Sequence, residues 1–526
     1  MKKIQPSGRR GPSAAAVAIV AASIFVAAVA IVVASMLVAA TANAHEPHVC
    51  PDGLPATPGL PGHVEQHEID SRTRSLDEIL EAGRRLFTGP VNTCDGFGRP
   101  AATGAGERRT PDQPEMIRTS SPEATACASC HSQPVTGGAG DFVTNVFVLA
   151  EGLDPATDSV SPLLSNERNS LGLFGAGAIE LLAREMSADL RAQATGLPDG
   201  EHTLTTKGVD FEVTIAGGTV TASRGVDADL IVKPFHQAGV VVSLREFAVN
   251  AFNHHLGLQA EERFDLNPAK GFDPDFDADG IARELTVGDI TAVTLWQASL
   301  PIPRQLKPTG PTARRALALG ERVFAEVGCT TCHRPALILE STVFVEPNPD
   351  NPPGTCRDAA LCPAFRLDLA DDDAGAPRLE RLPGGRAIVR AYTDLKRHNL
   401  CDAESAPNPI RHYCNEHLPQ GRPDQDGRPG AEFFLTRKLW DAGNSSPYGH
   451  RGDLTTLAEA ILVHGGEARA ARDAFAARPL EEQRALIEFL ESLQMPPLDA
   501  HGAHGRRGED HGRYAEWPTG FHSRSK

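Results

Sequence analysis

Apolar positions recur at helical spacing behind a series of capping signals, so the chain reads first as a set of amphipathic helices. Ser75-Leu76-Asp77-Glu78 is a capping box, in which the first and last side chains satisfy backbone N–H groups at a helix start. Leu76, Ile79, Leu80, Gly83, Leu86 and Phe87 then fall on one side of that helix. Ser243-Leu244-Arg245-Glu246 opens a second helix through Leu256, and Thr456-Leu457-Ala458-Glu459 opens a third. Pro479 suits a helix start before a run reaching Leu493, which Pro496-Pro497 ends. The stretch from Ala313 to Val327 predicts a further helix. Between Thr203 and Thr221 the period shortens to two and Gly217-Gly218 marks a turn, so a small β-hairpin insertion is expected. The expected fold class is mainly α with long loops.

One apolar run is of a different kind. Ala14 to Ala40 is uncharged, follows Lys2, Lys3, Arg9 and Arg10, and precedes Ala42-Asn43-Ala44, a small-residue cleavage site before His45. Residues 1–44 therefore predict an export signal, with length enough to serve instead as an uncleaved membrane anchor. In either case the body is expected in the periplasm. The 526 residues can supply cores for two or three domains. Only 5% are aromatic while 41 are Pro and 49 Gly, which points to many loops. A net charge of -17 argues against a nucleic-acid partner and suits a basic protein partner. The stretch 498–526, rich in His, Gly and Arg, reads as a disordered tail.

The chemistry lies in two copies of Cys-x-x-Cys-His: Cys127-Ala128-Ser129-Cys130-His131 and Cys329-Thr330-Thr331-Cys332-His333. Each is the attachment signature of a c-type haem, two thiols forming thioethers with the haem vinyl groups and the next imidazole binding iron. Two covalent haems are expected; a zinc site or a redox dithiol is the alternative for the same residues. The Pro-rich link from Pro301 to Pro311 is the natural boundary between an N-terminal haem domain over 45–300 and a C-terminal cytochrome c-like domain over 301–497. Six cysteines remain: Cys50, Cys94, Cys356, Cys362, Cys401 and Cys414. In an oxidising compartment the even remainder suggests disulfides, with Cys356–Cys362 and Cys401–Cys414 the favoured local pairs and buried free thiols the alternative.

The sixth iron ligand decides whether such a haem carries electrons or binds a substrate. Met116, Met186 and Met495 stand at positions unlike those of a compact cytochrome's Met ligand, so His is expected on at least one iron. Leu86-Phe87, the paired haem motifs, and Pro447-Tyr448-Gly449-His450-Arg451-Gly452 followed by Thr456-Leu457-Ala458-Glu459-Ala460 resemble the bacterial di-haem cytochrome c peroxidase superfamily. Within it the chain is similar to the di-haem oxidoreductase branch and to rubber oxygenases. The resemblance is clearest from Arg315 to Leu493. In that family the Pro-Tyr-x-His-x-Gly turn precedes a helix carrying the distal ligand of the second haem, commonly Met. His464, before Gly465-Gly466, stands at that position here, either as the ligand or as a surface helix-end residue.

The resemblance implies more. Family peroxidases often carry a His soon after the first motif, whereas here none follows His131 until His202. The first iron is then five-coordinate, or capped by His236, His254 or His255. Arg168-Asn169 with Leu173-Phe174-Gly175-Ala176-Gly177-Ala178-Ile179-Glu180 resembles the family segment whose Glu shuttles protons at the distal side, making Glu180 the candidate acid/base. Trp296 is either an inter-haem relay or core filler. Asp273, Asp275, Asp277, Asp279 and Gly280 resemble the start of a calcium loop, although Thr286 stands where its bidentate Glu belongs. The expectation is an exported peroxidase-like oxidoreductase with two haems and calcium as a candidate third cofactor. Electrons from a small donor protein, a cytochrome or cupredoxin, would pass from the haem of His333 and His464 to that of His131, which reduces hydrogen peroxide. An oxygenase using dioxygen on an apolar substrate and a non-enzymatic electron carrier are the rivals.

Overall fold

In the computed structural model, which describes residues 58–60, 62–98, 124–141, 143–145, 167–264, 280–356, 362, 364–370, 379–414 and 432–495, the expected helix caps are in place. The helices are α1 (Gln66–Asp70), α2 (Leu76–Thr88), α3 (Ala176–Ala194), α4 (Leu244–Ala251), α5 (Glu261–Phe264), α6 (Val287–Ala298), α7 (Pro311–Glu326), α8 (Leu457–Leu462), α9 (Arg469–Ala476) and α10 (Leu480–Glu491). Ser75 and Thr456 form capping boxes with Glu78 and Glu459, and Ser243 accepts from the Glu246 N–H. The α4 helix runs on into a π turn over Phe252–Leu256. α7 starts at Pro311, whose ring tolerates a first turn that needs no N–H. α10 stops at Glu491, before the expected Leu493, because Leu493–Gln494 pairs instead with Arg304–Gln305.

Helices dominate, and strands form small antiparallel sheets. The expected hairpin is a three-stranded meander of Gly200–Thr206, Val209–Ala216 and Thr219–Arg224. Its middle strand buries Val209, Phe211, Val213 and Ile215 while the alternate positions stay more open. Residues from 58 onward form one compact unit. The segment 1–57, with its apolar run, lies outside the described residues, as do Cys50, Met116, Asp273 to Asp279, Pro496-Pro497 and the tail. Among the described residues no helix is long and apolar enough to cross a membrane.

Two helix pairs set the frame, and each crosses at a glycine. A Cβ on Gly83 of α2 would lie 2.1 Å from the Ala292 carbonyl oxygen of α6. One on Gly320 of α7 would lie 1.9 Å from the Ala485 carbonyl oxygen of α10. Both crossings therefore bring backbone against backbone, which no larger residue permits. One turn further along, the same four positions carry aromatics. Phe87 meets Trp296 with ring centres 4.6 Å apart, and Phe324 meets Phe489 at 5.3 Å. The α6 helix is buried on every side, and its one charged residue, Asp289, sits in the first turn. Thr286 and Asp289 cap it, and the Asp289 carboxylate also takes the Val64 N–H at 2.8 Å and His63 Nδ1 at 2.7 Å.

A buried ionic network ties α3, α4 and the strand Val343–Glu346 together. Arg245, fully buried, donates to Glu262 and to Glu346 Oε1 at 3.0 Å. Glu180, also fully buried, pairs with Arg184 and accepts from the Leu244 N–H at 2.8 Å and Asn348 Nδ2 at 3.0 Å. Three carboxylates thus share two guanidinium groups. Burial pushes the Glu346 carboxyl up to about 7, and the Glu180 charge adds to it, against the pull of Arg245 and Arg184. Nearby the Cys356–Cys362 disulfide packs on Arg245, and Cys401–Cys414 closes the second expected pair. Cys94 is disulfide-bonded as well.

Gly320→Ala or Gly83→Ala should each destabilise the fold by roughly 1–3 kcal/mol through overpacking, read as a lower denaturant midpoint at unchanged slope. For Glu346, the raised native carboxyl value means its stability contribution is complete below the unfolded value of 4.5 and is lost as pH rises through about 7. Glu346→Gln should therefore flatten the loss of stability between those limits, on the order of 3 kcal/mol. Denaturation curves from pH 4 to 8 that fall equally in variant and parent would contradict this.

Candidate functional site

Each Cys-x-x-Cys-His motif is wound into a single 3-10 turn, over Cys127–Ser129 and Cys329–Thr331. The His131 N–H bonds back to the Cys127 carbonyl at 3.0 Å, and the His333 N–H to the Cys329 carbonyl at 2.9 Å. This winding sets both sulfurs and the imidazole of each motif on one side. The framing helices then brace the imidazoles. Phe87 lies 6.2 Å from the His131 ring at 46°, and Phe324 lies 6.4 Å from the His333 ring at 52°. Two sites built from distant segments thus share one local geometry.

Both motifs open into one cavity of about 970 Å³. Cys127, Cys130, His131, Cys329, Cys332, His333 and His464 all line it. None of the four motif cysteines is in a disulfide, whereas Cys94, Cys356, Cys362, Cys401 and Cys414 are. Burial pushes the Cys127 and Cys329 thiols up to about 12, so without a bound group both are thiols at pH 7. Cys332, Asp394 and His398 do come together at metal-ligand distances. His398, however, spends Nε2 on Asp394 at 3.0 Å and Nδ1 on Glu467 at 2.8 Å, leaving no lone pair for an ion. Burial opposes its charge, yet the Asp394 hydrogen bond lifts it to about 11.

At the second motif, His333 Nδ1 lies 3.0 Å from the Tyr392 carbonyl oxygen and His464 Nδ1 lies 2.6 Å from that of Ala460. With Nδ1 donating to a carbonyl, each ring presents Nε2 as its acceptor, the arrangement that orients an imidazole for a metal. Burial, and then the nearby His333, hold His464 down at about 4, so its ring is neutral at pH 7. Tyr413 packs beside it at 5.9 Å, and Phe434, His412 and His450 pack in turn on Tyr413. The loop after His464 is clamped by Asp402, which accepts from the Gly466 N–H at 2.7 Å, and by the His398–Glu467 contact.

At the first motif, burial, with a smaller push from His255, holds His131 down at about 4. His236 is held at about 3 by burial, then by Arg168 and His255. Gln237, with its amide turned to satisfy both neighbours, accepts from Arg168 Nε at 2.8 Å and donates to the His236 ring. Asn169 donates to the Pro447 carbonyl at 2.6 Å, and its N–H to the His450 carbonyl at 3.0 Å. The Arg168-Asn169 pair is thereby fastened to the Pro-Tyr-Gly-His turn. Gln237, Arg437, Lys438, Asp394 and His398 were not singled out from sequence. Their signals, Asp-x-x-x-His and Arg-Lys-x-x-Asp, carry meaning only once the cavity is known.

Other expected residues lie apart from the cavity wall. Glu180 is not among the lining residues, because its carboxylate is turned into the network of Arg184, Leu244 and Asn348. Trp296 packs on Phe87 as the counterpart of Phe489, the core-filling alternative, and does not line the cavity. Met186 and Met495 are buried in the core. His254 and His255 line the cavity from the π turn. Thr286 caps α6, and the acidic loop before Gly280 lies outside the described residues.

Residues 380–493 match a family model described as di-haem oxidoreductase, putative peroxidase. No curated protein matches the chain. Among solved structures, the chain is similar to Kuenenia stuttgartiensis hydrazine synthase pressurized with xenon, at 14% identity and a TM-score of 0.34, covering 84% of this chain and 96% of that one. It is also similar to a MauG-like protein associated with microbial copper homeostasis, at 16% identity and a TM-score of 0.24, covering 61% of this chain and 88% of that one. Over the matched C-terminal segment the chain is related, at the level of a superfamily, to di-haem oxidoreductases.

Proposed function

We propose that this protein is an exported di-haem c-type oxidoreductase with peroxidase-like activity. The observation that carries this reading is the sorting of cysteines: four thiols are kept out of disulfides in two Cys-x-x-Cys-His turns that share one cavity, while described cysteines elsewhere are in disulfides. The residues present fit the group. Cys127 and Cys130 would hold one haem with His131, and Cys329 and Cys332 the other with His333 and His464. Bound there, the irons would accept electrons singly from a small donor protein, a cytochrome or cupredoxin, and deliver them to hydrogen peroxide.

The protein's own part is orientation and proton handling. Phe87 and Phe324 fix the imidazole planes. The Ala460 and Tyr392 carbonyls fix the Nδ1 protons of His464 and His333. O–O cleavage needs a group that takes the peroxide proton and returns it to the departing oxygen. Glu180, the expected candidate, has both carboxylate oxygens occupied by buried donors. We assign the proton work to His236, which would give up the Gln237 N–H bond to its ring as it takes the peroxide proton, with Arg168, held by the Gln237 carbonyl, supplying positive charge for the departing oxygen.

Haem-stained denaturing gels and intact mass should show two covalent haems, one of which is lost when both thiols of a motif are replaced. A matured chain without covalent haem overturns the reading. In electron paramagnetic resonance, His464→Gly should turn one low-spin signal high-spin and leave the other as it was; an unchanged spectrum removes His464 and makes His450 the next candidate. The two proton candidates separate by variant. His236→Leu should retain both haems and slow peroxide turnover roughly 10²–10⁴-fold. Glu180→Gln should cost stability, on the order of 3 kcal/mol from breaking a buried pair, with turnover of the folded fraction close to the parent's. The opposite pattern returns the proton work to Glu180. Turnover of dioxygen with an apolar substrate, and none of peroxide, would favour an oxygenase instead.

A further inference from the structure

The wall of the cavity that both motifs share carries a pair of adjacent cations. Arg437 and Lys438 both line it, on the extended segment between the strand Phe433–Leu435 and Trp440. The segment is pinned by the Thr436 N–H to the Lys396 carbonyl at 3.0 Å and the Leu439 N–H to the Ala391 carbonyl at 2.9 Å. It addresses both sites. The Arg437 carbonyl lies beside the His333 imidazole, and the Arg437 charge acts on His131.

The charges there do not balance. The ion pairs found for these two side chains among the described residues all go to one carboxylate, that of Asp441. Lys438 Nζ is 3.3 Å from Asp441 Oδ2 and donates to the Gly172 carbonyl at 2.6 Å. Arg437 Nη2 stands 4.0 Å from the same oxygen, beyond hydrogen-bonding distance, and that nitrogen is buried with no hydrogen-bond partner, although the side chain as a whole is 35% exposed. Two positive groups therefore share one negative group, and a cation as buried as Lys438 with only part of an anion is costly. Burial holds both side chains below their usual values, Lys438 at about 8, which shows the direction of that cost.

We propose that Arg437 and Lys438 form the cationic seat for haem propionate carboxylates, placed in the wall of the shared cavity so that one patch of charge sets the potential of the haem it holds. The inference rests on the di-haem reading. A propionate would supply the anion that Asp441 cannot give twice, and guanidinium suits a carboxylate through two parallel N–H bonds. A fixed cation beside a haem favours the reduced form, which carries one positive charge fewer.

The test uses the di-haem holoprotein, its haem content first checked by gel and mass, so that absent haem is recognised as failure of the di-haem reading itself. In spectroelectrochemical titrations, Arg437→Gln and Lys438→Gln should each move at least one haem about tenfold toward the ferric form, which is about 59 mV for a one-electron couple. Arg437→Lys should recover most of that shift. Covalent haem content and the low-spin signal should stay as in the parent, which separates charge from structural damage. Titrations within threefold of the parent in both Gln variants overturn the proposal. Should a variant lose haem or fail to fold, the parent protein decides. Redox-difference infrared spectra with haem carrying ¹³C in its propionate carboxyls should show labelled bands of ion-paired carboxylate, and bands of fully hydrated carboxylate overturn the proposal.

Discussion

Everything at the candidate site depends on a close crossing of two helices with an aromatic wedge one turn beyond it. Gly83 on Ala292 and Gly320 on Ala485 bring helix backbones into contact. That closeness presses Phe87 onto Trp296 and Phe324 onto Phe489. The buried rings of Phe87 and Phe324 then meet the imidazoles of His131 and His333 at nearly equal distances and tilts. A helix pair held apart by one methyl group would move each Phe away from its histidine. The tight crossing is thus what gives two motifs, far apart in the chain, the same shape.

Around this frame the protein manages charge in two opposite ways. Behind the cavity, Glu180, Glu262 and Glu346 share Arg184 and Arg245, an excess of negative charge that burial relieves by holding a proton. In the cavity wall, Arg437 and Lys438 share Asp441, an excess of positive charge. The histidines between them are kept neutral, since burial outweighs every neighbour at His131, His236 and His464. Neutral imidazoles can bind metal or accept a proton, and charged ones can do neither. His398 is the exception, charged because two carboxylates hold it, and it serves to clamp the loop after His464.

Much of the local structure was legible from the residues alone. The capping boxes at Ser75 and Thr456, the helix leading to Cys329, and the pairs Cys356–Cys362 and Cys401–Cys414 follow from short-range rules, in which a side chain and its partner lie within a turn or a loop. The hairpin about Gly217-Gly218 was legible, and the division of its first arm into two strands was not, because the tight turn at Lys207-Gly208 hardly interrupts the alternation. Trp296 could be read as relay or as filler until α6 was seen to carry it onto Phe87.

Sequence by itself determined the thiol and imidazole chemistry of two Cys-x-x-Cys-His turns, because two residues between the sulfurs and a histidine directly after them act through bonded neighbours. Only the tertiary structure decided what shares the cavity with them. Glu180 sits one turn into a helix whose inner face lines the cavity at Ala176 and Ile179, yet its own carboxylate points to Arg184, Leu244 and Asn348. Gln237 meets Arg168, and Arg437 acts on both His131 and His333, across separations that no spacing rule spans. The physical reason is that covalent neighbours constrain a motif directly, whereas the direction of a buried charge is chosen by partners that only folding brings within reach.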